Sequence, residues 1–167
     1  MKKILIPVDG SASSQQAVRH VVNRFFGDSN IEVHLLHVRV PFSQHIASFV
    51  SKRNRDGYHR DMAERALEPA RELLKKHGVP HITHVELGEK APTIDRVAKE
   101  LRVHQIVIGT ARKNSLTRLI EDSVTSNLLE ITQVPVEVVA GAEASRWERY
   151  GVTAGVGAAV LAVLLVD

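Results

Sequence analysis

Short apolar runs rich in β-branched residues alternate with segments of helical period along the first 140 positions. The runs are Ile4 to Val8, Ile31 to Val40, Ile82 to Leu87, Ile106 to Ile108 and Val134 to Val139, and they predict five strands. The basic start Met1-Lys2-Lys3 leads into an apolar run interrupted by Pro7, too short for a signal peptide, so it reads as the first strand. Between strands, Ala17, Val18, Val21, Val22, Phe25 and Phe26 share one helical face, with Ser13 and Gln16 spaced for a capping box and Gly27 placed to end the helix. Met62, Ala63, Ala66, Leu67, Ala70, Leu73 and Leu74 form a second stripe ending at Gly78, with Pro69 expected to bend or split it. Pro92 suits the first turn of a third helix that buries Ile94, Val97, Ala98 and Leu101. A fourth runs from Leu116 to Ile131 through Leu119, Ile120, Val124 and Leu128, with a break near Asp122.

This alternation, with strands too apolar for one-sided solvation, predicts an α/β class with a parallel sheet covered on both faces. The longest stretch without a period is Pro41 to Gly57, which Lys52, Arg53 and Arg55 make basic. It reads as a solvated surface loop, or as a lid or docking loop at the ligand end of the sheet.

Past Val139 the pattern changes. Gly141 to Ser145 is a small-residue linker, and Arg146-Trp147-Glu148-Arg149-Tyr150 precedes Gly151 to Val166, which carries no charge. As a helix this run spans about 24 Å at 1.5 Å per residue, close to the lower limit for a membrane span. Trp147 and Tyr150 suit interfacial anchoring, Arg146 and Arg149 fit the positive-inside rule, and Gly151, Gly155 and Gly157 offer a small-residue face. The expected organisation is a domain over 1–141, an interfacial linker over 142–150 and a hydrophobic helix over 151–166. The tail would tether the domain to the cytoplasmic face of the inner membrane, or pack in an oligomer of a soluble cytoplasmic protein.

Composition narrows the function. The chain has 167 residues, 22 basic, 19 acidic, 9 histidines and no cysteine, with a net charge of +3. Without thiolates, iron–sulfur and zinc-thiolate sites are excluded. The small net charge and the scarcity of aromatics speak against nucleic acid as a partner. His34 and His37 lie i, i+3 on one strand and His81 and His84 on another, so neither pair faces one side. A cross-strand site with one histidine from each strand is the alternative to surface or supporting roles, and no metal is expected. Ser11, Ser13 and Ser14 lack a nucleophile elbow and suit helix capping, and neither a Walker A loop nor a Gly-x-Gly-x-x-Gly fingerprint is present.

Ligands of open parallel sheets settle beyond the carboxyl ends of strands where the winding reverses. The first strand ends in Pro7-Val8-Asp9-Gly10-Ser11 and the fourth in Ile108-Gly109-Thr110-Ala111-Arg112. Asp9 can accept hydrogen bonds from a ribose or a base amine, or it can simply organise the turn that Gly10 permits.

Together with Leu36-His37-Val38, Gly88, Val107-Ile108-Gly109, Ser123-Val124 and Val134-Pro135-Val136, the run Ile4 to Ser11 makes residues 2 to about 140 resemble the universal stress protein family. The resemblance implies a five-stranded parallel sheet of order 3-2-1-4-5, a homodimer formed through the fifth strand, and an adenine-nucleotide pocket. Carried over position by position, that pocket comprises Pro7, Asp9, Gly10, Val38, Ile108, Gly109, Arg112, Ser123 and Val124, with Val38 at the base and His37 near it. The family's ATP-binding branch carries Gly, two residues, Gly, nine residues, then Gly-Ser or Gly-Thr, a loop whose amides hold phosphates. Here Gly109 keeps the first position, Arg112 stands at the second glycine, and Asp122-Ser123 stands where Gly-Ser is expected.

Asp122 would set a carboxylate against a polyphosphate of the same sign, which costs on the order of several kcal/mol in a partly desolvated site. Arg112 and Asp122 are expected to pair across the former phosphate loop, or Arg112, Lys113 and Arg118 to bind an anion such as AMP. The resulting expectation is a non-catalytic regulatory or protective stress-response protein, with no cofactor or an adenine nucleotide (ATP or AMP). Its alternatives are a soluble ATP/AMP sensor, a nucleotide-hydrolysing enzyme, and an adaptor that docks on a transporter or kinase.

Overall fold

The computed structural model describes residues 1–41, 52–110 and 124–140. Five parallel strands form one sheet: β1 (Lys2–Pro7), β2 (Ile31–Arg39), β3 (His81–Leu87), β4 (Gln105–Thr110) and β5 (Val136–Ala140), in the order β3-β2-β1-β4-β5. The intervening helices are α1 (Ala12–Phe25), α2 (Lys52–Lys76), α3 (Lys90–Glu100) and α4 (Val124–Ile131). The α/β class and the strand order 3-2-1-4-5 are therefore as expected.

The continuous apolar character of the strands follows from burial on both faces. Ile4, Ile6, Val8, Val33 and Leu35 point to one side, where they meet Ala17, Val18, Val21 and Val22 of α1 and Leu67, Ala70 and Leu74 of α2. Leu5, Leu36, Val38, Ile106 and Ile108 point to the other and meet Ile94, Val97 and Ala98 of α3 and Leu128 of α4. Each fully buried Leu or Ile contributes roughly 1.5–3 kcal/mol, so the two clusters supply the main drive for folding.

Local details depart from the sequence expectations in instructive ways. The cap of α1 is Ser11, whose Oγ accepts from Ser14 N–H at 3.2 Å, and not the expected Ser13–Gln16 box. Phe26, assigned to the buried face, stands exposed at the end of α1 with its ring edge-on to His77. Met62, assigned to the second stripe, is exposed as well.

Pro69 does not split its helix: α2 is continuous from Lys52 to Lys76 because the ring lies on the solvent side while Ala66, Leu67 and Ala70 hold the inner face. The helix also begins earlier than expected, taking Lys52, Arg53 and Arg55 out of the predicted basic loop, whose residues 42–51 lie outside the described ones. Of the expected fourth helix, Val124–Ile131 is observed, and Leu116, Leu119, Ile120 and the break at Asp122 lie outside the described residues.

Among the described residues, no helix is long and apolar enough to cross a membrane. The linker over 142–150 and the hydrophobic run over 151–166 are not among them.

Candidate functional site

Order β3-β2-β1-β4-β5 means that the chain winds one way from β1 to β3 and the other from β4 to β5, which puts the switch point between β1 and β4. The β1–β4 register pairs Ile4 with Gln105 and Leu5 with Ile106, whereas the β1–β2 register continues to Pro7 and Leu36. A cleft with about 510 Å³ of space, counting its open mouth, occupies this end of the sheet. Pro7, Val8, Leu36, Val38, Ile94, Ile108 and Val124 make it largely apolar, and Asp9, Ser14, Lys90 and Thr125 supply polar groups.

The β1–α1 turn holds Asp9 in place. One carboxylate oxygen accepts from Ser11 N–H at 3.0 Å and from Ser11 Oγ–H at 2.6 Å, while Ser11 Oγ itself caps α1. Burial alone pushes the Asp9 carboxyl up, but the hydrogen bonds from Ser11, reinforced by Ser14 and by the Lys90 ammonium, outweigh it and leave the group below its ordinary value. Asp9 is thus an ionised acceptor, and it organises the turn as well.

Gly10 follows with φ +83°, in the left-handed region, and a Cβ there would lie 3.3 Å from the Ala66 backbone. Ser14 is buried and donates its hydroxyl to the Ser11 carbonyl at 3.0 Å. Lys90 is the first residue of α3, whose N-cap Glu89 makes no side-chain cap bond.

The structure brings Pro7, Asp9, Val38, Ile108, Gly109 and Val124 together around the cleft. Gly10 shapes the adjoining turn and is not part of the lining. Arg112 and Ser123 lie outside the described residues, as do Asp122, Lys113, Arg118 and the expected Arg112–Asp122 pair. Sequence reasoning missed the polar Lys90, Ser14 and Thr125 and the apolar Val8, Leu36 and Ile94. Gly88, two residues before α3, marks where that helix starts, but no sequence signal places Lys90 in the cleft.

His37 does not face the cleft. It lies on the α2 side of β2 and its Nδ1 bonds the Val8 carbonyl at 2.8 Å, so it braces the backbone just after β1, behind the cleft wall. His34 is likewise not a surface histidine: it is 2% exposed and contacts His84 across the β2–β3 boundary. Among the described residues no group of three His, Asp or Glu side chains is arranged to hold a metal.

Comparison with known proteins agrees with this geometry. Residues 1–140 match the family model described as "Universal stress protein family". A universal stress protein of Methanocaldococcus jannaschii is 27% identical over 144 residues, covering 83% of this chain and 81% of the relative. A universal stress protein family structure from Burkholderia pseudomallei superposes with TM-score 0.66 at 21% identity, covering 84% of this chain and 96% of that one. Another, from Arabidopsis thaliana with AMP bound, superposes with TM-score 0.64 at 16% identity, covering 86% of this chain and 94% of that one.

Proposed function

We propose, from the premise that the chain belongs to the universal stress protein family, that its β1–β4 cleft binds an adenine mononucleotide and that the protein acts as a non-catalytic, ligand-responsive regulator. The observation that carries this reading is the pairing of an apolar floor with the ionised Asp9 acceptor at the switch point of the sheet. A purine fits the apolar surfaces of Leu36, Val38, Ile94 and Ile108, and Asp9 accepts from a ribose hydroxyl or an exocyclic amine. The AMP seen in the Arabidopsis thaliana structure supports the ligand class. Replacement of two loop glycines by Arg112 and Asp122 favours one phosphate over three, because Asp122 repels a polyphosphate and Arg112 attracts an anion.

A binding role agrees with the chemistry of the lining. Asp9 is engaged by the Ser11 N–H and hydroxyl and is held below its ordinary value, which makes it a weak base and suits it to accepting hydrogen bonds. Isothermal titration with AMP and with Mg-ATP tests the proposal. Saturable AMP binding that exceeds that of ATP is expected, and ATP binding tighter than AMP, or no binding of either, overturns it.

The wider assembly forms part of the same reading. The uncharged run over 151–166, preceded by Arg146, Trp147, Arg149 and Tyr150, supports a membrane tether. Release of the full chain from membranes by carbonate would refute it. Val138 on β5, 44% exposed at the sheet edge, supports a homodimer through that strand, and a monomeric mass by light scattering would exclude it.

A further inference from the structure

A hydrogen-bonded chain of three titratable side chains crosses the β2–β3 boundary on the α3 side of the sheet. Glu32 Oε1 lies 2.9 Å from His34 Nε2, and His34 Nδ1 lies 3.0 Å from His84 Nε2. The ring centroids of His34 and His84 are 5.2 Å apart with their planes at 21°. That separation is close to the largest that two imidazoles can have with nitrogens 3.0 Å apart, so the rings meet nitrogen to nitrogen, nearly in one plane, instead of stacking face to face. Such an approach suits one proton between the two nitrogens. A shared metal ion needs the two lone pairs to converge on a point off the line between them.

The proton count follows from the chain. The Glu32 carboxylate accepts, so His34 carries its proton on Nε2 and presents the Nδ1 lone pair. His84 must then donate Nε2–H, leaving its own Nδ1 as the open base. One added proton on the pair keeps every hydrogen bond. A second would place N–H groups on both facing nitrogens and drive the rings apart.

Burial, then the neighbouring His34 ring, already holds the His84 imidazole below its ordinary value, while Glu86 pulls it the other way. The charged groups around the pair are Lys3, in register with Glu32 on β1 and reaching the Leu101 carbonyl; Glu86, two residues beyond His84 and bound by Arg96 of α3; Glu100, the second partner of Arg96; and Asp95 of α3, tied to Lys99. When the pair separates, Glu86 offers a protonated His84 a partner on its own face of the edge strand.

This chain lies next to the cleft wall. His84 is in register with Leu36, which lines the cleft, and β3 passes through Gly88 into α3, which contributes Lys90 and Ile94. We propose that Glu32, His34 and His84 form a proton-operated latch that fastens the edge strand β3, and with it the α3 wall of the cleft, and that opens on acidification to weaken ligand binding. The part concerning ligand rests on the nucleotide reading above.

An opened strand can take up one more proton than the latched arrangement, in which the two facing nitrogens share at most one between them. The latch therefore contributes fully above about pH 6.5 and loses its contribution as the pH falls below it, by about tenfold in the opening equilibrium per pH unit for one excluded proton. Native-state hydrogen exchange of the full chain at about pH 7.5 and about pH 5.5, corrected for intrinsic rates, reads this directly. In the wild type, β3 amides are expected to open about tenfold more for that one unit below pH 6.5 while β1 amides do not. In His84→Gln, which keeps an N–H donor without a titrating ring, neither strand should change.

Equal loosening of β3 in both chains, or of β1 and β3 together, overturns the latch. If His84→Gln fails to fold, the wild-type His34 and His84 ring protons followed by NMR decide: one shared proton uptake supports the latch, and two independent ordinary titrations refute it. AMP affinity measured at the same two pH values separates the readings. Affinity that falls with acid in the wild type alone supports coupling to the cleft, and an equal fall in both chains overturns it. Absence of AMP binding at either pH refutes the nucleotide reading and with it that coupling, while exchange alone judges the fastening of β3.

Discussion

Gly109 and Ser13 meet backbone to backbone: at the end of β4, Gly109 passes so close to the first turn of α1 that a methyl on its Cα would overlap the Ser13 carbonyl. The neighbour is main chain in a capped helix, so it cannot rotate away as a side chain could. Gly109→Ala is expected to cost roughly 2–4 kcal/mol, the range in which strain and overpacking exceed ordinary substitutions. Gly27 provides the control, since a Cβ there would meet only the Arg24 carbonyl oxygen at 3.6 Å. Urea unfolding of the two variants checks the contrast, and equal midpoints would show that β4 can withdraw from α1 without penalty.

Asp9 links the stability of the β1–α1 turn to pH. Its carboxyl lies below the ordinary value in the folded chain, so the folded state favours the ionised form. The sign follows: this contribution is complete above about pH 4 and is lost as the pH falls through the lower, folded-state value. Asp9→Asn should flatten the acid limb of the stability profile below about pH 4. Lys90→Met, which removes a positive charge that depresses the Asp9 carboxyl, should move that limb to higher pH. Denaturant midpoints across the range measure both, and an unchanged limb in Asp9→Asn would mean that the Ser11 bonds do not distinguish the two protonation states.

These two residues also show what could be read from the sequence. Asp9 and Gly109 were legible because each closes an apolar run, and the ends of β1 and β4 flank the switch point in any doubly wound sheet. Alternation alone left the strand order open, and the order 3-2-1-4-5 came from the family resemblance. Lys90 and Thr125 were not legible, because their place in the cleft depends on where α3 and α4 begin relative to strands distant in sequence. The His34–His84 contact depends on the register that sets Leu36 beside His84, and a one-residue slip would turn one ring to the opposite face. Pro69 misled because the rule against proline in helices concerns backbone bonding and is silent on which side the ring faces.

Glu137 joins three elements through its two carboxylate oxygens. Oε1 meets His20 Nε2 at 2.7 Å, and Oε2 accepts from Arg24 at 2.6 Å and from Gln105 Nε2 at 2.8 Å, tying α1 to the starts of β4 and β5. Its side chain is half-buried, so truncation leaves partly desolvated donors without an acceptor. Glu137→Ala is expected to destabilise by roughly 1–3 kcal/mol. Glu137→Gln, which keeps one accepting oxygen, should cost less. Chemical denaturation of the pair checks the order, and a neutral Glu137→Ala would place the network among surface ion pairs of no measurable worth.

Pro69 offers a test in the stabilising direction. It lacks the N–H that would bond the Arg65 carbonyl one turn earlier, yet α2 continues through it. Arg71 spans this point on the solvent side by binding both Glu64 and Glu68, while Ala66, Leu67, Ala70 and Leu74 anchor the inner side against the sheet and α1. Proline in a helix interior is about 3 kcal/mol worse than alanine, and its restriction of the unfolded chain returns roughly 0.4–1 kcal/mol. Pro69→Ala is therefore expected to raise stability by about 1–2 kcal/mol, less than the full propensity difference because the surrounding helix has already accommodated the ring. Thermal and urea unfolding measure it. A loss of stability would instead mean that a backbone shape imposed by proline is what seats the α2 face on the sheet.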